Sequence, residues 1–160
     1  RKPGPWIWGM AGFTECLPFK SNRMYLSNKV DRYGLPQVAF EMKWSDNEVK
    51  LRRDAARQAD RILKAAGAVF AMPGDSQDLT AEQMSLPGEG IHEMGTARMG
   101  DDPSESVLNK WNQAHDVPNL FVTDGSFMTS ASCVNPSLTY MAFTARACDY
   151  AVKQLASGAV

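Results

Sequence analysis

The segment from Asn135 to Val152, NPSLTYMAFTARACDYAV, constrains the fold more than any other part of the chain. Asn is among the most favoured N-cap residues, and proline suits the first helical position because its missing N–H would be unpaired there. Apolar residues then recur at steps of three and four, at Leu138, Met141, Ala145, Cys148, Val152 and Leu155. The pattern predicts a helix from Pro136 to about Ala156 that Asn135 caps.

A second helix is predicted upstream of the first. Residues 45–48, SDNE, have the spacing of a capping box, with Ser45 as N-cap and Glu48 at the third helical position. The helical pattern continues to Ala66, and Gly67 provides a C-terminal stop. We expect the many charged residues between these limits to form a solvated face.

Shorter segments are typical of strands and loops. Strands are predicted at Arg23–Ser27 and at residues 37–44, QVAFEMKW, whose alternation indicates one buried face. Two further strands are predicted at residues 68–72 and at residues 119–125, NLFVTDG, the second buried and closed by a tight Asp-Gly bend. Residues 73–89 are predicted to be a loop with one helical turn. The predicted fold class is therefore mixed α+β.

Composition excludes several classes of protein. With 160 residues, 44% of them hydrophobic, the chain fits one globular domain, and its formal net charge of −1 gives no basic surface for nucleic acid. No apolar run approaches the roughly 20 residues that cross a bilayer, so no membrane span is predicted. Three cysteines at wide spacings argue against a disulfide framework or a zinc site, and we predict no metal. No signal-peptide pattern is visible, and the compartment stays open.

The residues before the C-terminal helix suggest a ligand site. Residues 124–134, DGSFMTSASCV, carry almost no charge and follow a predicted strand. A helix start offers unpaired N–H groups and partial positive charge, which favour an anionic group. Taken alone, Asn135 and Pro136 favour a simple capping role, and the charge-poor segment before them is what points to a ligand site instead.

The chain has two histidines in different settings. His115 lies among polar turn formers and is interpreted as a surface-loop residue. His92 lies in GEGIHEMGTARMG, between glycines, where a purely structural role and a catalytic role are both possible. Glu93 is its only close partner of a ligand type, which disfavours a metal site. A Ser-His-Asp arrangement stays open, although no G-x-S-x-G elbow is present.

Together, the segment around His92 and the segment that leads into the C-terminal helix at Asn135 resemble the C-terminal part of the glucose–methanol–choline (GMC) oxidoreductases. These are flavoproteins that oxidise alcohols and sugars. The resemblance is dense over residues 90–157 and weaker upstream, and it is fullest to the gluconate, sorbitol and fructose dehydrogenase branch. It implies substrate-domain strands and a connecting helix over residues 1–90. Residues 91–160 would form the catalytic His loop, the FAD-contacting strand and the C-terminal helix. The matching residues are His92, Gly95, Thr96, Arg98, Met99, Gly100, Asn119, Leu120, Val122, Asp124, Gly125, Ser126, Asn135 and Pro136.

The resemblance also implies roles for individual residues. His92 matches the base that takes the hydroxyl proton of the substrate while hydride passes to FAD, and Asn135 matches the second catalytic residue. We expect the Asn135 carbonyl to cap the helix and its NH₂ group to face the substrate oxygen. The family places the residues at the Asp-Gly bend and the helix start against FAD. In this chain these cofactor-binding positions are Asp124, Gly125, Asn135, Pro136 and Ser137.

The sequence contains no G-x-G-x-x-G fingerprint for a dinucleotide. We therefore expect the chain to be part of a longer protein, with a missing N-terminal FAD-binding region as its main partner, and to be inactive alone. An alcohol, sugar or sugar-acid substrate and an electron-acceptor subunit are the other expected partners. Two alternatives stay open: a lyase that uses His92 for proton transfer only, and a non-catalytic interaction module. Met94 and Met99 are expected to pack in the core or near the flavin.

Overall fold

A computed structural model describes residues 3–70, 80–90 and 92–159 of the chain. Its contacts divide the chain into two units, one of residues 1–15 and 44–84 and the other of residues 16–43 and 85–160. The elements confirm a mixed α and β composition. In chain order they are strand β1 (Arg23–Val30), strand β2 (Pro36–Glu41), helix α1 (Asp46–Ala65), a 3₁₀ turn (Ala81–Gln83), a second 3₁₀ turn (Gly125–Phe127) and helix α2 (Ser137–Ser157).

The two strands form an antiparallel hairpin in the second unit. Asp31 closes its turn, because one carboxylate oxygen accepts hydrogen bonds from the backbone N–H groups of Tyr33 (2.8 Å) and Leu35 (3.0 Å). Both strand predictions are confirmed in type, but the expected buried face of β2 is wrong: Val38 is 49% exposed and Phe40 66%. Within the described residues the two strands pair only with each other.

Helix α1, in the first unit, begins as its capping box predicts. The Ser45 hydroxyl accepts a hydrogen bond from the Asn47 N–H (3.2 Å), and the Glu48 carboxylate accepts one from the Ser45 N–H (2.8 Å). Gly67, just past the end, has a φ of 94°, a conformation that glycine adopts without strain. Both ends of the helix are therefore confirmed.

The segment after α1 is less regular than predicted. Residues 68–70 are not in a strand, and the remainder of the predicted strand, residues 71–72, lies outside the described residues. The helical turn predicted in the following loop is confirmed at Ala81–Gln83, whereas residues 73–79 lie outside the described residues.

The core of the second unit is small and built by loops. Leu108, Ala114 and Phe127 form its centre, and Leu108 is fully buried. The buried Asn112 side chain donates a hydrogen bond to the Val122 carbonyl (3.0 Å), which satisfies a polar group inside this core.

The buried strand predicted at residues 119–125 is wrong. Only Phe121 takes part in a bridge, with Gln113, and Leu120 is 47% exposed. The Leu120 carbonyl accepts a hydrogen bond from the Ala114 N–H (2.9 Å) as part of this bridge, whereas the Leu120 N–H donates to the Val117 carbonyl (2.9 Å) in a local turn, so the pairing does not extend into a strand. The segment then closes in the 3₁₀ turn at Gly125.

Helix α2 is confirmed, and Gly158 ends it in a left-handed conformation (φ 70°). The apolar stripe that identified the helix points to solvent, with Leu138 78% exposed. The packed face is a different one: the Phe143 ring stacks on Phe127 and the Tyr150 ring on Trp111, each pair with ring centroids 4.8 Å apart. Among the described residues, no helix is both long and apolar enough to cross a membrane.

The predicted start of α2 is wrong by one residue. Pro136 is the N-cap, because its carbonyl accepts the first helical hydrogen bond, from the Tyr140 N–H (3.0 Å). No side chain caps this end, so Asn135 precedes the cap and does not serve as one. Proline disfavours the helical conformation in the residue before it, which places Asn135 outside the helix.

Leu108 provides a test of the core. Leu108→Ala should lower the free energy of unfolding by about 2–5 kcal/mol, because it leaves a cavity at a fully buried position. Leu35→Ala removes the same atoms from a side chain 62% exposed at the hairpin turn, and should change the free energy by less than about 1 kcal/mol. Urea unfolding of both variants makes the comparison; equal losses would contradict the assignment of Leu108 to the core.

Asn135 provides a test of the corrected helix start. Since its side chain caps nothing, Asn135→Ala should change the free energy of unfolding by less than about 0.5 kcal/mol. Ser45→Ala, which removes a true N-cap of α1, should cost about 1 kcal/mol. Urea denaturation followed by circular dichroism measures both. A loss at Asn135 as large as that at Ser45 would restore the capping role.

Candidate active site

An open cavity of about 550 Å³ lies in the second unit, where three chain segments meet. The structure brings all six residues that the sequence singled out for catalysis or cofactor binding to this cavity, together with five others. The lining residues are His92, Glu93, Met94, Thr96, Asp124, Gly125, Ser126, Asn135, Pro136, Ser137 and Tyr140.

The segment that carries His92 is fixed by backbone hydrogen bonds just beyond it. The N–H groups of Ala97 and Met99 donate to the carbonyls of Ser126 (3.0 Å) and Phe127 (2.9 Å). Gly95 lies between these bonds and the histidine with a φ of 84°, and a Cβ there would approach the Met128 carbonyl oxygen to 3.2 Å. This glycine lets the chain turn tightly, so that His92 lies exposed at the cavity wall.

Asp124 begins the second segment and organises its turn. Its carboxylate accepts hydrogen bonds from the Ser126 N–H (2.9 Å) and from the Ser126 hydroxyl. Phe127, the last residue of the turn, is 2% exposed and anchors the turn in the core. The polar residues of the Asp-Gly bend therefore lie at the cavity, while the aromatic residue that follows them lies beneath it.

The third segment is the start of α2. Pro136 is the N-cap and Ser137 the first helical residue, so the first-turn N–H groups have no acceptor within the helix. A helix of 21 residues places partial positive charge at this end. Asn135 is exposed beside it, and its side chain contains one carbonyl and two N–H donors. The arrangement suits an anionic or strongly polar ligand edge.

Tyr140 is the site residue that the sequence analysis missed. Its hydroxyl donates a hydrogen bond to the Met94 sulfur (3.2 Å), so Met94 packs against α2 as well as lining the cavity. Burial, and secondarily the nearby negative charge of Asp124, raise the pKa of the Tyr140 hydroxyl. One signal was available: Tyr140 lies four residues after Pro136, on the same face of the helix as its start.

The other histidine lies outside the cavity. His115 was expected in a surface loop, and the structure shows it half-buried, with its Nε2 atom 2.9 Å from the Ser106 hydroxyl. The Ser106 hydroxyl also donates to the Asp102 carbonyl (2.7 Å), so Nε2 is the donor of the shared bond. His115 therefore has a structural environment, whereas His92 is the histidine that lines the cavity. The described part of the chain contains no cluster of side chains that could hold a metal ion.

Comparison with known proteins identifies the family. The family model of the GMC oxidoreductases matches residues 18–144. The chain is 40% identical over 139 residues, 86% of its length, to a 2-methyl-1,2-propanediol dehydrogenase of Mycolicibacterium austroafricanum, of which it covers 24%. It is 34% identical over 90% of its length to the fructose dehydrogenase large subunit of Gluconobacter japonicus, of which it covers 25%.

An oxidase is also among the relatives. The paromamine 6'-oxidase of Streptomyces fradiae is 30% identical over 88% of the chain, which covers 24% of it. The chain thus spans about a quarter of the length of the curated relatives it matches. A match over most of the chain, together with these identities, shows that the chain belongs to the GMC oxidoreductase family and corresponds to its C-terminal domain.

Proposed function

We propose that this chain forms the catalytic face of an FAD-dependent oxidoreductase that oxidises a CH–OH group of an alcohol, sugar or sugar acid. One observation carries the proposal. His92 and Asn135, which are far apart in the sequence, line the same cavity as the Asp124 turn and the start of α2. The relatives support the substrate class, since their names describe enzymes for 2-methyl-1,2-propanediol, for paromamine and for fructose.

The lining residues fit a flavin. The cavity is open on one side, and one of its walls is a helix start whose N–H groups suit an electron-rich ring edge. Asp124, Gly125, Asn135, Pro136 and Ser137 would hold FAD at this wall. When bound, the flavin would supply the redox chemistry by accepting hydride from the carbinol carbon.

The chain's own residues would orient the carbinol and move its proton. The imidazole of His92, which lines the cavity, would accept the hydroxyl proton of the substrate as a general base. Asn135 would donate a hydrogen bond from its NH₂ group to the same oxygen and fix its direction. Because Asn135 does not cap α2, its whole carboxamide is available for this contact.

Most of the FAD would be bound by a region outside the present sequence. The 160 residues contain no G-x-G-x-x-G fingerprint, and the cavity is open. We therefore propose an N-terminal FAD-binding region as the partner of this domain, and expect the domain alone to be inactive. An electron-acceptor subunit is a further proposed partner, because one relative is named as the large subunit of its enzyme.

The first test removes the base. In the full flavoprotein, His92→Ala should lower kcat/KM for an alcohol or sugar substrate by about 10²–10⁴-fold, the usual contribution of a positioned base. His115→Ala is the matched control, because that ring lies outside the cavity, and it should stay within a few-fold of the parent. Steady-state rates per bound flavin, and anaerobic loss of flavin absorbance with substrate, give the result. Equal rates for the two variants would refute the role of His92.

The second test replaces the proposed donor. Asn135→Asp keeps the size of the side chain but exchanges its NH₂ donor for an acceptor, and should lower kcat at least roughly tenfold, as loss of an oxygen-binding donor does. Asn119→Asp makes the same change at an exposed loop position outside the cavity, and should leave kcat unchanged. If Asn135→Asp turned over as fast as Asn119→Asp, the donor role would be wrong.

A further inference from the structure

Tyr140 contacts both of the other segments that line the cavity. We propose that it is a positioning residue. Its hydroxyl lies between Met94 and Gly125, and it fixes the distance from α2 to the His92 segment and to the Asp124 turn. The consequence for turnover rests on the proposed function, whereas the positioning itself does not.

The contact with Met94 restrains the His92 segment. The Tyr140 hydroxyl donates to the Met94 sulfur at 3.2 Å, and Met94 is only two residues from His92. A thioether is a weak acceptor, so the restraint acts through close packing as well as through the hydrogen bond. A tyrosine hydroxyl is protonated at neutral pH and can donate, and burial raises the pKa of this one further.

The contact with Gly125 explains why a glycine stands in the turn. Unlike Gly95, Gly125 does not have a left-handed backbone, so its conformation does not require glycine. Lack of space requires glycine instead, because a Cβ at this position would lie 2.5 Å from the Tyr140 hydroxyl oxygen and 2.7 Å from the Met94 sulfur. The three residues therefore pack as one contact in which each fixes the other two.

The ring of Tyr140 is itself held firmly. It packs edge-on against Phe127 with centroids 6.2 Å apart, and Phe127 is 2% exposed in the core. The Tyr140 N–H donates to the Pro136 carbonyl in the first turn of α2. The hydroxyl is consequently held in place relative to both the core and the helix start, as a positioning residue requires.

The first experiment removes only the hydroxyl. Tyr140→Phe keeps the ring on Phe127, and Tyr150→Phe is the matched control, since Tyr150 lies on the same helix but stacks on Trp111 outside the cavity. In the full protein, amide hydrogen exchange of a peptide covering residues 92–97 should become several-fold faster in Tyr140→Phe and stay unchanged in Tyr150→Phe. Exchange at the parent rate in both variants would overturn the proposal.

Turnover gives a second readout. A misplaced base slows the chemical step more than it weakens binding, so Tyr140→Phe should lower kcat about 3- to 10-fold with KM and flavin content nearly unchanged. An activity per bound flavin equal to that of the parent would contradict the positioning role. If exchange changes as expected but His92→Ala leaves activity intact, the proposed function fails and the positioning stands.

A paired substitution separates positioning from general stability. Gly125→Ala should reduce kcat strongly, because its methyl group meets the Tyr140 hydroxyl. The double variant Gly125→Ala/Tyr140→Phe should recover part of the loss, since the nearest obstacle to the methyl group is gone and the Met94 side chain can move. If the double variant had a lower kcat than Gly125→Ala alone, with the two losses simply multiplying, the contact with Tyr140 would not be the cause of the loss.

Discussion

The geometry of the site depends on the burial of one aromatic side chain, Phe127. Its ring packs against Phe143 and Tyr140 of α2, and its backbone carbonyl accepts the hydrogen bond from Met99 that holds the His92 segment. Phe127 also ends the turn that Asp124 begins. A single buried ring therefore ties all three cavity segments to the core, and the polar residues reach the cavity because they are its neighbours along the chain.

Local sequence signals predicted structure best where every hydrogen-bond partner is close along the chain. The capping box at Ser45 and Glu48 was confirmed because all of its partners lie within four residues. The start of α2 was placed one residue early, because the pattern Asn-Pro does not reveal which carbonyl accepts the first helical bond; here it is that of Pro136. The segment 119–125 was predicted as a strand from its apolar content, and no neighbouring strand pairs with it along its length in the described structure.

Contacts between residues that are distant in the sequence could not be predicted from local sequence patterns. The sequence resemblance singled out six residues that the structure brings to one cavity, but composition and periodicity could not have joined His92 to Asn135. Tyr140 escaped notice because its partners, Met94 and Gly125, are distant in the sequence, and a tyrosine in a helix has no distinctive signature. Its importance follows only from the packing.

Helix α2 is apolar on more than one side, and this has a consequence for handling the protein. Its Phe143 and Ala147 face is packed, while Leu138, Met141, Val152 and Leu155 are each more than 60% exposed. A helix with apolar residues on a second face as well as on its packed face is typical of one that is covered on both. Prepared by itself in water, the domain should have poor colloidal stability. Its self-association through this exposed apolar face of α2 should increase with protein concentration and with added sulfate.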